Sequence, residues 1–294
     1  MKFSESGSIS SNCNKELLLP KNLNDSASFK ELESLIGLDE VKKTLAELTA
    51  YSLVQRKREE KQLKTCPIVM HMVFKGNPGT GKTTVARLLG KVLNDMEILS
   101  KGHLLEVERA DLVGEYIGHT AQKTREMIKQ SLGGIMFVDE AYTLSQGGEK
   151  DFGREAVATI VKSMEDHRNN LLVILAGYSS EMNRFIASNP GLKSRFPIHI
   201  DFPDYNDDEL FQIAVHMYEE RDYQMNNRCR WKIKQHLAEF TRCRHPHSGN
   251  ARYVRNLVEK SIRLHALRVV NREYLTRKDL LLIDDTDLPD MGTI

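Results

Sequence analysis

Strand-like apolar runs alternate with amphipathic stretches through the middle of this chain. The runs lie at 68–74, 103–107, 135–138, 171–176 and 198–202, and most are apolar at consecutive positions. Strands covered on both faces read this way, because neither face is left to water. Between them, stretches such as 84–93 and 120–131 repeat apolar residues every three or four positions, the spacing of one helix face. This alternation predicts an α/β fold: a five-stranded parallel sheet flanked by helices. After Pro203-Asp204-Tyr205 the strand signals stop and 207–220, 229–241 and 250–270 read as helices, the last with Val254, Leu257, Val258 and Ile262 along one side. The change predicts a domain boundary, with an α/β domain at 29–203, a small all-helical domain at 204–284 and a tail at 285–294. Residues 1–28, rich in Ser, Asn and Lys, read as a flexible tail. From 29 to about 64 the pattern is helical, and Arg56-Lys57-Arg58-Glu59-Glu60-Lys61 reads as a solvated helix face.

Between the first strand and the next helix stands Gly76-Asn77-Pro78-Gly79-Thr80-Gly81-Lys82-Thr83, a complete G-x-x-x-x-G-K-[ST] sequence followed by Thr84. A triphosphate needs several backbone N–H groups aimed at one point. Glycines allow that curl, and the following helix N-terminus adds its positive end. Lys82 is placed to reach the outer phosphates and the Thr83 hydroxyl to ligate Mg²⁺. The third strand ends in Asp139-Glu140. Ligands bind beyond the carboxyl ends of strands in such sheets, so Asp139 reads as a Mg²⁺ ligand and Glu140 as the base that takes a proton from the attacking water. ATP and Mg²⁺ are the cofactors this pattern predicts.

Composition narrows the partners. The 294 residues hold 42 Lys plus Arg against 41 Asp plus Glu, a formal charge of +1, so the basic footprint of a general nucleic-acid binder is missing. No run of apolar residues is long enough to span a membrane, and the first residues lack the apolar core of a secretory signal. Four scattered cysteines (Cys13, Cys66, Cys229, Cys243) suit reduced thiols, and a cytoplasmic location is expected. Cys243-Arg244-His245-Pro246-His247 does not have zinc-ligand spacing and reads as a solvent-facing loop.

Taken together, Ile36-Gly37-Leu38-Asp39-Glu40, the phosphate loop, Asp139-Glu140 and the helical C-terminal region resemble an AAA+ ATPase. Gly114-Glu115-Tyr116-Ile117-Gly118-His119-Thr120 and Ala176-Gly177-Tyr178 are similar to the CbbX-like branch, which includes red-type Rubisco activases and a sporulation protein of spore-forming bacteria. The resemblance spans roughly 29–284. It implies a P-loop NTPase domain with a helical lid, assembled as a homo-oligomer, a hexameric ring with ATP at subunit junctions.

The resemblance also implies roles. Ile36, Gly37 and Leu38 would line the adenine pocket. Arg195, in Asn189-Pro190-Gly191-Leu192-Lys193-Ser194-Arg195, matches the arginine finger that reaches a neighbour's γ-phosphate. Arg252, in Gly249-Asn250-Ala251-Arg252, matches a lid residue that senses phosphate. Tyr178 stands where the family usually has Thr-Asn, so its hydroxyl is the sensor only if its greater length can be accommodated. Tyr116, Ile117 and Gly118 match the pore loop of rings that thread polypeptide, and the Gly-rich 145–153 would form a second pore loop or an effector site. The expected function is ATP-driven remodelling or threading of an unidentified protein partner, in sporulation or in a Rubisco-activase-like role. A DNA-acting motor would share the same ATP residues, but the neutral charge balance and Tyr116-Ile117-Gly118 favour a protein partner, since a DNA pore needs cationic loops.

Overall fold

The computed structural model of the chain describes residues 26–65, 69–116, 118–147, 152–243 and 249–290. Residues 1–25 of the predicted tail therefore lie outside the described residues. Ser26 caps α1 (Ala27–Glu33) by accepting from the Phe29 N–H, and Phe29 and Leu32 are buried. The helix expected over 29–64 is two helices. Gly37 and Leu38 both sit in the left-handed region, which no α-helix can continue, and α2 (Asp39–Glu60) begins after them.

The central sheet is five-stranded and wholly parallel. It comprises β1 (Met72–Gly76), β2 (Leu104–Val107), β3 (Ile135–Val138), β4 (Leu172–Gly177) and β5 (Ile198–Phe202), in the order β2-β3-β4-β1-β5. The connecting helices are α3 (Lys82–Asp95), α4 (Arg109–Leu112), α5 (His119–Ser131), α6 (Gly153–Asp166), α7 (Ser179–Ser188) and α8 (Pro190–Arg195). Successive strand residues point to opposite faces. Met72 and Phe74 pack with α1, α2 and α3, while Val73 joins Met136, Val138 and Val173 against α5, α6 and α7. Both faces are covered, which is why these strands read as continuous apolar runs. Because β4 lies between β1 and β3, the loops leaving all three open at one edge of the sheet. That edge is where the site forms.

Beyond β5 come α9 (Asp207–Glu219), α10 (Asn227–Arg242), α11 (Ala251–Val270) and α12 (Arg277–Leu281). The expectation that strands end at 203 needs correction. β6 (Gln224–Met225) and β7 (Leu282–Ile283) form a short parallel pair, each too brief to show a period in sequence. Nor do the residues after 284 hang free. Asp285–Asp287 makes a 3₁₀ turn, and the buried Asp287 carboxylate accepts from Arg268 Nε at 2.6 Å and Nη2 at 2.7 Å. Leu288 is buried beside it. Among the described residues no helix is long and apolar enough to cross a membrane.

Candidate active site

The phosphate loop bends from β1 into α3, whose first turn follows the left-handed Gly81. Inside the loop, Gly79 has φ +73°, and a Cβ there would lie 2.1 Å from the Gly249 carbonyl and 2.9 Å from the Arg252 nitrogen. The lid's own backbone thus packs directly on the loop, and only glycine leaves room for it. Lys82 Nζ donates to the carbonyls of Gly76 (2.9 Å) and Asn77 (2.8 Å). Burial pushes this ammonium below its ordinary pKa, against the pull of Asp139. A partly buried ammonium held by loop carbonyls fits a site built to receive an anion.

A cleft of about 360 Å³ opens here, lined by Gly76, Pro78, Gly79, Gly81, Lys82, Thr83, Thr84, Asp139, Glu140, Tyr178 and Arg252 among others. Eleven of the residues expected from sequence therefore meet at one place. Asp139 and Thr83 supply hard oxygen ligands of the kind Mg²⁺ takes. Glu140 follows β3 in the left-handed conformation (φ 45°), uncommon for a residue with a Cβ, and its N–H donates to Asp139 Oδ1 at 3.0 Å. Both Asp139 and Glu140 line the cleft, and Glu140 is exposed. Tyr178 sits at the end of β4, its ring 6.0 Å from that of Tyr142. Burial, reinforced by the Glu140 carboxylate, raises the Tyr178 phenol pKa, so at neutral pH it remains a hydrogen-bond donor.

Other expected residues lie off the cleft wall. The Asn77 amide turns to Asp204, and the Thr80 hydroxyl donates back to the Asn77 carbonyl at 2.8 Å. Their backbones shape the loop while their side chains brace it. Leu38 lies beside Gly81, and Gly37 backs onto Glu209 and Tyr205, so the Ile36–Leu38 turn packs behind the loop against the helical domain. Arg195 is at the end of α8, outside this cleft, with Nη2 2.9 Å from Glu165. Its Nε is buried and makes no hydrogen bond among the described residues. Tyr116 is 66% exposed, its ring edge-on to His119, and Gly118 opens α5 in the left-handed region with nothing near a would-be Cβ. Ile117, residues 148–151 of the predicted second loop and residues 244–248 lie outside the described residues.

Sequence reading missed Arg87 and Arg255, which also line the cleft. Each was visible as periodicity, four residues after Thr83 and three after Arg252 on their helices. With Lys82 and Arg252 they bring four cations to the cleft, of which Arg87 also pairs with Glu106. Asp204 was missed as well; its sequence setting signalled only a boundary. A larger groove of about 600 Å³ beside Tyr142, Arg154 and Arg184 has no phosphate loop, so chemistry rather than volume picks the site.

Comparison with known proteins identifies the family. Residues 72–204 match the model described as "ATPase family associated with various cellular activities (AAA)", and 206–293 match "AAA lid domain". Stage V sporulation protein K of Bacillus subtilis (strain 168) is 54% identical over 260 residues, covering 88% of this chain and 81% of that protein. The chain belongs to the AAA ATPase family. Protein CbbX of Cereibacter sphaeroides is 45% identical, covering 83% of this chain and 78% of CbbX. The chloroplastic ribulose bisphosphate carboxylase/oxygenase activase of Cyanidioschyzon merolae (strain NIES-3377 / 10D) is 42% identical, covering 86% and 87%. The AAA domain of FIGL-1 in complex with ADP shares the fold, with TM-score 0.58, 17% identity and coverage of 86% and 80%. This AAA protein is accordingly an ATPase that binds ATP/ADP.

Proposed function

We propose that this ATPase couples hydrolysis to remodelling or threading of a protein partner, as a homo-hexameric ring in the cytoplasm of a sporulating bacterium. In this reading the loop amides and Lys82 bind the phosphates, and Thr83 with Asp139 would hold Mg²⁺. When bound, the ion supplies positive charge that polarises the phosphate oxygens. Glu140 takes the proton of the attacking water, while Tyr178 and Arg252 report on the γ-phosphate from strand and lid. Arg195 acts on the site of a neighbouring subunit, which is consistent with its place outside its own cleft. Ile36, Gly37 and Leu38 hold the base behind the loop.

The observation that carries the threading reading is the exposed Tyr116, a large amphipathic ring two residues before the left-handed Gly118 and outside the cleft. Tyr116→Ala should keep basal ATPase and melting temperature close to wild type while abolishing stimulation or remodelling by a protein partner. A large loss of thermal stability would instead show that the ring is packed as core, since truncating a buried aromatic costs about 3–5 kcal/mol. The 54% identity to a sporulation protein supports the sporulation setting; the 42% identity to a Rubisco activase supports the alternative partner. Affinity capture on a Glu140→Gln variant, which should hold its partner, decides between them.

A further inference from the structure

Asn250 is completely buried, yet its backbone stands at φ 42° and ψ −122°, a conformation that residues with a Cβ rarely adopt. Glycine would adopt it without strain, so what asparagine adds there is its side chain. That side chain is fully engaged. Its Nδ2 donates to Asp204 Oδ1 at 2.7 Å and lies 3.4 Å from the Pro78 carbonyl, and its Oδ1 accepts from the Tyr205 N–H at 3.2 Å. Asp204 in turn accepts from the Asn77 amide at 3.0 and 3.1 Å. The next residue, Ala251, donates its N–H to the Gly79 carbonyl at 3.2 Å.

Three segments therefore meet on one carboxylate: the phosphate loop through Asn77, the hinge through Asp204 itself, and the start of α11 through Asn250. Arg252 leaves the chain two residues later and faces the cleft. With the first turn of α11 bonded to the loop at Asn250 and Ala251, Arg252 has little freedom to approach or retreat while this joint holds. Opening the joint would part the Asp204 carboxylate from an amide donor, so lid and loop are expected to move as one unit.

We propose that Asp204 and Asn250 are positioning residues of the ATPase, a joint that holds the lid's Arg252 over the phosphate loop. The proposal rests on the reading of Arg252 as a phosphate contact. Neither residue touches the nucleotide; each acts through Arg252 and the loop.

The test is steady-state ATPase of the full chain, with KM and kcat measured well below each variant's melting temperature. Asn250→Asp sets two carboxylates together and Asp204→Asn sets amide against amide. Each should lower kcat/KM on the order of tenfold, and the double swap Asp204→Asn with Asn250→Asp should lose less than the product of the two single losses, because it restores the donor–acceptor pair between the two positions though not the bonds to Asn77 and the Pro78 carbonyl. Asn250→Gly, which suits the backbone and guards against misfolding, should fold and still lose activity. Arg252→Ala serves as the reference. If it leaves kcat/KM unchanged, the phosphate-contact reading fails and the joint has nothing to position. If it lowers kcat/KM while the Asp204 and Asn250 variants stay within about twofold of wild type, the positioning proposal alone is overturned. Lowered melting temperatures with unchanged kinetic constants would overturn it too, since that is the signature of structural glue.

Discussion

Glu140 shows how much chemistry depends on one backbone conformation. Its left-handed turn after β3 leaves its N–H donating to Asp139 Oδ1, and both residues line the cleft. Glu140→Gln preserves that shape but cannot accept a proton, so ATP binding should persist while hydrolysis falls by about 10²–10⁴. Equilibrium binding of a fluorescent nucleotide, measured beside phosphate release, checks both halves. His71 offers a second test at this scale. It is buried before β1, its Nδ1 accepts from the Val173 N–H at 3.0 Å, and burial lowers its pKa to about 4. The unfolded chain, with a histidine near 6.5, binds this proton first, so stability should fall as pH drops from 6.5 towards 4 and level off below. The expected loss over that window is roughly 3 kcal/mol. His71→Asn keeps an acceptor for Val173 without the titration, and urea melts across pH 4–7 should show the slope removed.

At the scale of elements, the helical domain is tied down at both ends. Its first contacts are the Asn77–Asp204–Asn250 bonds to the phosphate loop. Its last is the bidentate pair of Arg268 with the buried Asp287, which pins the 3₁₀ turn under α11. Arg268 remains partly exposed, so breaking the pair should sit at the low end for buried ion pairs. Asp287→Ala is expected to cost about 3 kcal/mol, read as a lower urea midpoint with the ATP site intact. An unchanged midpoint would mean the turn is only loosely attached.

At the scale of the whole molecule, the chain's own cleft gathers Lys82, Asp139, Glu140 and Arg252 but not Arg195, whose guanidinium rests on Glu165. If Arg195 serves a neighbour, Arg195→Ala and Lys82→Ala proteins should each be nearly inactive, by about 10³ or more. Mixed, they should regain part of the wild-type rate at junctions where an intact loop faces an intact Arg195. Co-assembly without any recovery would count against action in trans. The same mixtures, followed by sedimentation with and without a slowly hydrolysed ATP analogue, report whether nucleotide drives assembly.

Much of the site could be read from the chain because its chemistry is local. A phosphate loop needs its glycines, lysine and threonine within eight consecutive residues, and Asp139-Glu140 needs only to end a strand. The five strands were legible for a similar reason: coverage on both faces writes itself as apolar runs. What the sequence could not say depends on distant segments meeting. The break at Gly37-Leu38, the β6–β7 pair and the docked turn at 285–287 are each set by contacts across the fold, with too few residues to leave a period. Asp204 looked like a boundary marker because its partners, Asn77 and Asn250, lie 127 and 46 residues away. Residue types determined the chemistry; tertiary structure decided which backbone each side chain holds in place, because only folding brings those donors and acceptors within reach.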